Sequence, residues 1–166
     1  IVFGDWSSDV CSSDLIDSRE NHLMPETKVY FDDVVEGEEL PSFDLTVTRT
    51  HIIRYAGAGG DFQPIHHDEE FARAVGLPSI FAMGLMHGGM LTRLATDWAG
   101  VGRINRFQMR FGAIVWPGDV LTFKGRVEKK RVESGRNLVD LSLTVTNQKG
   151  EQAIVGQAEA GLPSKA

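Results

Sequence analysis

The sequence predicts an α+β domain in which an antiparallel sheet wraps around one long central helix. Four segments in the second half of the chain alternate apolar and polar residues with a period of two, as strands with one buried face do. Short turn-forming segments separate them, so neighbouring strands are expected to pair antiparallel. One long apolar helical pattern, Gly84 to Trp98, supplies the cover that the apolar face of such a sheet needs.

The part of the chain before this helix predicts one strand and two short helices. Residues 43–48 alternate apolar and polar side chains, which indicates a half-buried strand. A first helix is expected over residues 51–57 with Thr50 as its N-cap, because glycines follow and allow the chain to turn. A second helix is expected over residues 69–75, with Asp68 as its N-cap and a glycine and a proline closing it.

The long helix and the strands after it account for the rest of the domain. Met86, Met90 and Leu94 recur every four residues, and the first half of this helix carries almost no charge, so it is expected to be buried on most sides. Turn residues then divide the chain into strands. The four expected strands cover residues 106–113, 121–127, 139–146 and 154–162.

Composition and charge fit one globular domain and exclude several classes of protein. The chain has 166 residues, of which 42% are hydrophobic and 24% charged, and its formal charge is −6. Its lysines and arginines are scattered, which argues against a nucleic-acid surface. No apolar run reaches eighteen residues, so we expect no membrane span and a cytoplasmic protein. The single cysteine, Cys11, cannot form an internal disulfide, and we expect neither a metal nor another cofactor.

The N-terminal 23 residues are expected to lie outside the domain, which we place at residues 24–166. Residues 5–15 resemble the in-frame translation of a common short-read sequencing adapter, with a genuine disordered tail as the alternative. The natural start is then expected near Met24, and Trp6 is expected to make no core contact. Without residues 1–23, which hold five acidic residues and one arginine, the formal charge is −2 and no cysteine remains.

The candidate site is the loop between the two short helices, residues 59–68. Asp61 and His66 lie five residues apart across Pro64, and a proline favours an extended conformation for the residue before it, Gln63. The segment can therefore hold a carboxylate and an imidazole around one water molecule. Such a pair is the equipment of general acid–base catalysis.

Spacing alone leaves other interpretations of this loop open. Asp61 and His66 can be an ordinary turn residue and an ordinary loop histidine. His66, His67 and Asp68 make a weak metal-ligand set, because adjacent histidines usually point apart. The glycine-rich segment 57–60 lacks both the preceding strand of a dinucleotide-binding motif and the lysine of a P-loop.

The stretch Gly60-Asp61-Phe62-Gln63-Pro64-Ile65-His66 resembles the hydratase-2 signature of the MaoC-like (R)-specific enoyl-CoA hydratases and dehydratases. Residues 106–111 and the turn at 116–119 are similar to the strand and turn that follow the central helix of that family, and the resemblance spans about residues 29–162. It implies the hot-dog fold, which is usually dimeric, so we expect a homodimer. Two departures are Gln63, where the signature usually has Asn, and Met83, where the family often has His before the glycine.

The resemblance also implies a reaction, the reversible hydration of trans-2-enoyl thioesters of CoA or acyl carrier protein to (R)-3-hydroxyacyl thioesters. Asp61 is expected to act as base toward water, His66 to handle the proton at the α-carbon, and the N–H of Gly84 to stabilise an enolate. The alternatives are a non-catalytic hot-dog subunit of a hydratase complex and an acyl-CoA thioesterase. The residues expected around the substrate are Gln63, Pro64, Met83 and Met86, with Arg106 and Arg110 near its phosphates.

Overall fold

A computed structural model describes residues 29–165 of the chain. The expectations for residues 1–23, for a start near Met24 and for Trp6 lie outside the described residues. Two short 3-10 helices, Phe31–Asp33 and Pro64–His66, accompany the main elements. In chain order these elements are β1 (Phe43–Thr46), α1 (Arg49–Gly59), α2 (Glu69–Ala74), α3 (Gly84–Ala99), β2 (Ile104–Phe111), β3 (Val120–Glu133), β4 (Arg136–Asn147) and β5 (Gln152–Gly161).

The five strands form one antiparallel sheet in the order β1-β3-β4-β5-β2. Ser134 and Gly135, both with positive φ, make the two-residue turn between β3 and β4, the turn geometry that matches the twist of a hairpin. Helix α3 contacts β2, β3, β4 and β5. The predicted α+β arrangement, an antiparallel sheet wrapped around one long helix, is therefore confirmed, and β1 and β2 form the two edges of the sheet.

Two glycines in the sheet allow α3 to pack closely against it. A Cβ atom at Gly125 would lie 3.1 Å from Leu94 of α3, and one at Gly156 would lie 3.5 Å from Leu91. Leu91 is completely buried, and Phe123 of β3, also completely buried, stacks on Phe43 with ring centroids 4.5 Å apart. This core fixes the position of α3, whose N-terminal end forms part of the site described below.

The structure corrects the predicted start of α1. Thr48, and not Thr50, is the N-cap: its hydroxyl accepts from the N–H of His51 at 3.1 Å, and the Nδ1 of His51 accepts from the N–H of Thr48 at 3.3 Å. This is a capping box with histidine in the place where glutamate or glutamine is usual, which is why its sequence signature is hard to recognise. The other predicted cap, Asp68, does accept from the N–H groups of Glu70 and Phe71.

The predicted strands differ from the observed ones mainly at their ends. The largest difference is in β3, which continues to Glu133 instead of ending at Val127. The pairing of β3 with β4 shifts between Val127 and Lys129, so the apolar–polar alternation stops there although the strand continues. No helix in residues 29–165 combines the length and the apolar character needed to cross a membrane.

The core also contains a histidine, His87 of α3, which is 3% exposed. Its ring lies edge-on to Phe111 at a centroid distance of 6.3 Å, and its Nδ1 has no hydrogen-bond partner among the described residues. Burial lowers the pKa of His87 to about 4, from an ordinary value of 6.5. The imidazole is therefore neutral in the folded protein at neutral pH.

We expect His87 to make the protein less stable as the pH falls from 6.5 to 4. In that range the unfolded chain binds a proton at His87 that the folded protein does not bind. The resulting loss of unfolding free energy reaches about 3 kcal/mol at pH 4. His87→Met removes the titrating group and is expected to flatten the slope, measured by urea unfolding at a series of pH values. An equal slope in wild type and variant would contradict this assignment.

Candidate active site

The loop after α1 brings Asp61 and His66 together in a cleft. Helix α1 ends at Gly59, and its C-cap is Gly60, whose φ of 71° is a left-handed conformation that glycine adopts at little cost. Gln63 is extended, with φ −62° and ψ 128°, and Pro64 starts the short 3-10 helix that carries His66. As a result Nε2 of His66 lies 3.7 Å from Oδ2 of Asp61.

A backbone carbonyl fixes the orientation of the His66 ring. His66 is 5% exposed, and its Nδ1 lies 2.8 Å from the carbonyl oxygen of Phe81, whose ring also packs edge-on against the imidazole. A carbonyl oxygen only accepts hydrogen bonds, so Nδ1 carries a proton and donates it to this contact. Nε2 therefore faces Asp61, and it can accept a proton when the ring is neutral or donate one when the ring is an imidazolium.

Asp61 is the more accessible member of the pair, with 42% of its side chain exposed. Its Oδ1 accepts from the N–H of Gln63 at 3.4 Å, which leaves Oδ2 toward His66. The 3.7 Å between Oδ2 and Nε2 is longer than a hydrogen bond. The pair thus presents a carboxylate oxygen and a ring nitrogen to the same small space, where one reacting oxygen atom can contact both.

This cleft has a volume of about 290 Å³ and lies at the start of α3. Gly84 is the first residue of the helix, and Met83, its N-cap, provides no side-chain hydrogen bond, so the N–H groups of the first turn have no side-chain cap. A Cβ atom at position 84 would lie 2.8 Å from the ring of Phe111, which explains a glycine there. The residues lining the cleft are Tyr55, Gly59, Asp61, His66, Phe81, Met83, Gly84 and Leu85.

Glu69, the first residue of α2, joins three segments that surround the cleft. Its carboxylate accepts from Arg49 at the start of α1 at 2.7 Å, from the hydroxyl of Ser79 at 3.3 Å and from the N–H of Ile80 at 3.5 Å. The hydrogen bond from Arg49 is the main reason why the pKa of Glu69 is lowered to about 2. Ile80 precedes Phe81, so this contact supports the carbonyl that orients His66.

The structure brings together most of the residues predicted from the loop and the helix start. Asp61, His66, Met83 and Gly84 line the cleft, whereas Met86 lies in a neighbouring apolar pocket. Gln63 and Pro64 do not line the cleft: the former contributes its backbone N–H to Asp61, and the latter shapes the turn. Gln63, which stands where the family signature usually has Asn, therefore contacts Asp61 through its main chain.

Arg106 and Arg110 are not part of this cleft. Both are exposed on β2, on the opposite side of the strand from Phe107 and Met109, which pack on the core. Arg106 donates to the side chain of Gln108 at 2.8 Å. Each arginine lines a separate depression on the sheet surface, so neither contacts a ligand held in the cleft of the same protomer.

Sequence reasoning did not identify three residues of the cleft, Tyr55, Phe81 and Leu85, whereas Gly59 lay at the edge of the predicted loop. Phe81 acts through its carbonyl group, which no residue-type pattern reveals. Tyr55 lies in the second half of α1, six residues before Asp61, and its position next to a glycine-rich helix end is the one signal that pointed to it. In residues 29–165 no cluster of three or more Asp, Glu, His or Cys side chains has the arrangement of a metal site.

The chain is similar to known proteins of one family. A family model described as "MaoC like domain" matches residues 32–149. The beta subunit of 3-oxo-4,17-pregnadiene-20-carboxyl-CoA hydratase from Mycobacterium tuberculosis is 38% identical over 94 residues, which cover 56% of this chain and 73% of that protein. The (R)-specific enoyl-CoA hydratase of Rhodospirillum rubrum is 28% identical over 142 residues, which cover 82% of this chain and 93% of that protein.

Solved structures show the same fold. The R-hydratase PhaJ1 from Pseudomonas aeruginosa superposes with a TM-score of 0.74 at 22% identity and covers 83% of this chain and 88% of its own. The ChsH1-ChsH2 complex from Mycobacterium tuberculosis gives a TM-score of 0.67 at 32% identity, with 78% of this chain and 98% of that chain covered. Because the family match spans most of the described residues and the hot-dog architecture agrees with it, the chain belongs to the MaoC-like dehydratase domain family.

Proposed function

We propose that the protein catalyses the reversible hydration of trans-2-enoyl thioesters, carried by CoA or acyl carrier protein, to (R)-3-hydroxyacyl thioesters. The observation that carries this proposal is the 3.7 Å approach of Asp61 and His66 in a cleft that also holds the first residue of α3. The relative named as an (R)-specific enoyl-CoA hydratase matches 82% of this chain, which supports the same reaction class.

In the hydration direction, Asp61 starts as a carboxylate and His66 as an imidazolium. Oδ2 of Asp61 takes one proton from water while the water oxygen bonds to C3 of the enoyl group, and the π electrons move toward the thioester oxygen. Nε2–H of His66 then gives its proton to C2. The proton on Asp61 then passes to Nε2 through a water molecule that bridges the 3.7 Å between the two atoms, so that the net change is the addition of one water molecule. The two groups therefore act as a pair in this cycle.

The enolate that forms in this reaction needs a hydrogen-bond donor at the thioester oxygen. Gly84 lines the cleft, and its N–H is the first of α3, a position at which a backbone donor has no intrahelical partner and the helix dipole favours negative charge. We assign the enolate contact to this N–H. Met83 provides apolar surface for the acyl group in the cleft, Gln63 holds Asp61 in place through its backbone N–H, and Pro64 shapes the turn that carries His66.

The test is the hydration of crotonyl-CoA, followed by the loss of the enoyl absorbance. The proposal is supported if the enoyl absorbance falls and chiral analysis identifies the product as the (R)-3-hydroxyacyl thioester. A parallel measurement with Ellman's reagent separates the reaction from thioester hydrolysis, which releases a free thiol without first consuming the double bond. Release of free thiol in step with the loss of absorbance, with no 3-hydroxyacyl product, would contradict the hydratase assignment and identify a thioesterase.

The assembly is a second part of the proposal, and we propose a homodimer. β2 is an edge strand, and exposed Phe111 and Ile114 lie at its end, so that a second copy can cover them. A heteromeric hydratase is the alternative, since a 38% identical relative is named a beta subunit. Light scattering of the purified chain gives its oligomeric state, and the crotonyl-CoA assay gives its activity. An active dimer fits the proposal. An inactive chain that gains activity when a second protein is added contradicts it. The cytoplasmic location also stays a prediction.

A further inference from the structure

We propose that Tyr55 determines the length of the acyl group that the site accepts, by closing the catalytic cleft toward a second, apolar pocket. This inference rests on the proposed function, because it assumes that the ligand of the cleft is an acyl thioester. It adds a residue that neither the sequence motif nor the acid–base geometry includes, and a preference for short acyl groups.

Tyr55 stands between two cavities of similar size. It lines the cleft of about 290 Å³ that contains Asp61 and His66. It also lines a pocket of about 340 Å³. Among the described residues, Tyr55 is the one that both linings share. We therefore assign its side chain as the partition between them.

The packing around Tyr55 holds the ring in this position. Tyr55 is partly buried against the core, and its ring lies along the last turn of α1, where a Cβ atom at Gly59 would lie 3.6 Å from Cε1 and 4.0 Å from Cζ. These distances are ordinary van der Waals contacts, so the ring of Tyr55 lies against this turn of its own helix. The partition is thus part of the packed structure and closes the cleft in the protein as folded.

The second pocket has the character of a hydrocarbon site. Its apolar surface comes from Leu45 of β1 and from Met86 and Met90, which lie one turn apart on α3. Methionine side chains adapt to ligands of different shape because they are flexible and polarisable. His51 and Arg54 also line this pocket, on the side of α1. The occupant that fits is the distal part of an acyl chain whose thioester end lies beside Asp61 and His66.

Two expectations follow for substrate preference. With Tyr55 in place, the acyl group is limited to the cleft, so that short enoyl thioesters are preferred over long ones. Removing the ring joins the cavities into a space about twice as large as the cleft, which admits a longer chain. A single methylene in an apolar pocket changes substrate discrimination by roughly ten- to two-hundred-fold, so the shift is measurable.

The experiment compares crotonyl-CoA, with four acyl carbons, and trans-2-decenoyl-CoA, with ten. We expect Tyr55→Ala to raise the ratio of kcat/KM for decenoyl-CoA to that for crotonyl-CoA at least tenfold over wild type. Tyr55→Leu, which retains apolar packing, serves where the alanine variant does not fold, and Tyr55→Phe, which retains the ring, is expected to keep the wild-type ratio. The matched control is Tyr30→Ala, the same substitution at a tyrosine that lines neither cavity.

A binding measurement separates this inference from the proposed function. Calorimetry with butanoyl-CoA and decanoyl-CoA, which contain no double bond to hydrate, is expected to show the same tenfold shift in relative Kd for Tyr55→Ala. Hydration of crotonyl-CoA with an unchanged length ratio in both folded variants would overturn the role of Tyr55 and leave the proposed function standing. If the ratio of Kd values shifts but crotonyl-CoA is not hydrated, the result would support the role of Tyr55 in length selection and contradict the proposed hydratase activity. Equal wild-type kcat/KM for both lengths, or no binding of either, would overturn the inference.

Discussion

Replacing Asp61 by asparagine is expected to lower kcat for crotonyl-CoA hydration by roughly 10²–10⁴-fold. The amide has the shape of the carboxylate and can still accept the hydrogen bond that Oδ1 receives from the N–H of Gln63 at 3.4 Å. The amide cannot accept a proton from water. The fall in kcat therefore reports the loss of proton transfer and not a change in the shape of the site. The comparison is made by initial rates at saturating substrate, after circular dichroism has shown that the variant is folded.

The same experiment extends to the histidine. His66→Gln is expected to lose activity within the same range, because it removes the nitrogen that delivers the proton to C2. The double variant is expected to lose little more than either single one, since the two groups act as one unit. Asp44→Asn, the same change at an exposed residue of β1, is the matched control and is expected to retain activity. Wild-type activity in both single variants would refute the mechanism.

The central parts of the fold and the Asp–His pair were predictable because they depend on local signals. The strands show the period of two, the helix shows apolar residues every four positions, and Pro64 restricts the loop so strongly that Asp61 and His66 converge. Sequence patterns of this kind carry information about neighbours along the chain. They therefore locate the loop and place Asp61 and His66 in it without knowledge of the rest of the structure, whereas the role expected for the pair came from the family resemblance.

The remaining features depend on contacts between distant parts of the chain. The carbonyl of Phe81 that orients His66 comes from a segment fifteen residues away, and backbone groups leave no trace in the residue types. For Arg106 and Arg110, the alternation correctly indicated an exposed strand face, but it does not tell which surface a ligand reaches. The role of Glu69 between α1, α2 and the segment before α3 likewise depends on tertiary packing.

Replacing Gly84 by proline is expected to lower kcat by roughly 10²–10³-fold relative to Gly84→Ala, because it removes the one N–H to which we assign enolate stabilisation. Proline is well tolerated at the first position of a helix, and the preceding Met83 has φ −62° and ψ 133°, the extended conformation that a following proline requires. Both variants add a Cβ atom, which would lie 2.8 Å from the ring of Phe111, so both are made in a Phe111→Leu background.

The comparison with alanine distinguishes the loss of a hydrogen bond from crowding. Gly84→Ala adds the same Cβ atom but keeps the N–H. A change in kcat or KM that the alanine and proline variants share therefore reports the steric effect of this atom. The proline ring also occupies space near Met83 and Gly84, and such crowding weakens the binding of butanoyl-CoA and raises KM. Loss of the enolate contact instead lowers kcat while that binding persists, because the contact strengthens only as negative charge develops. Equal kcat values for the alanine and proline variants, with both proteins folded, would show that the Gly84 N–H does not stabilise the enolate.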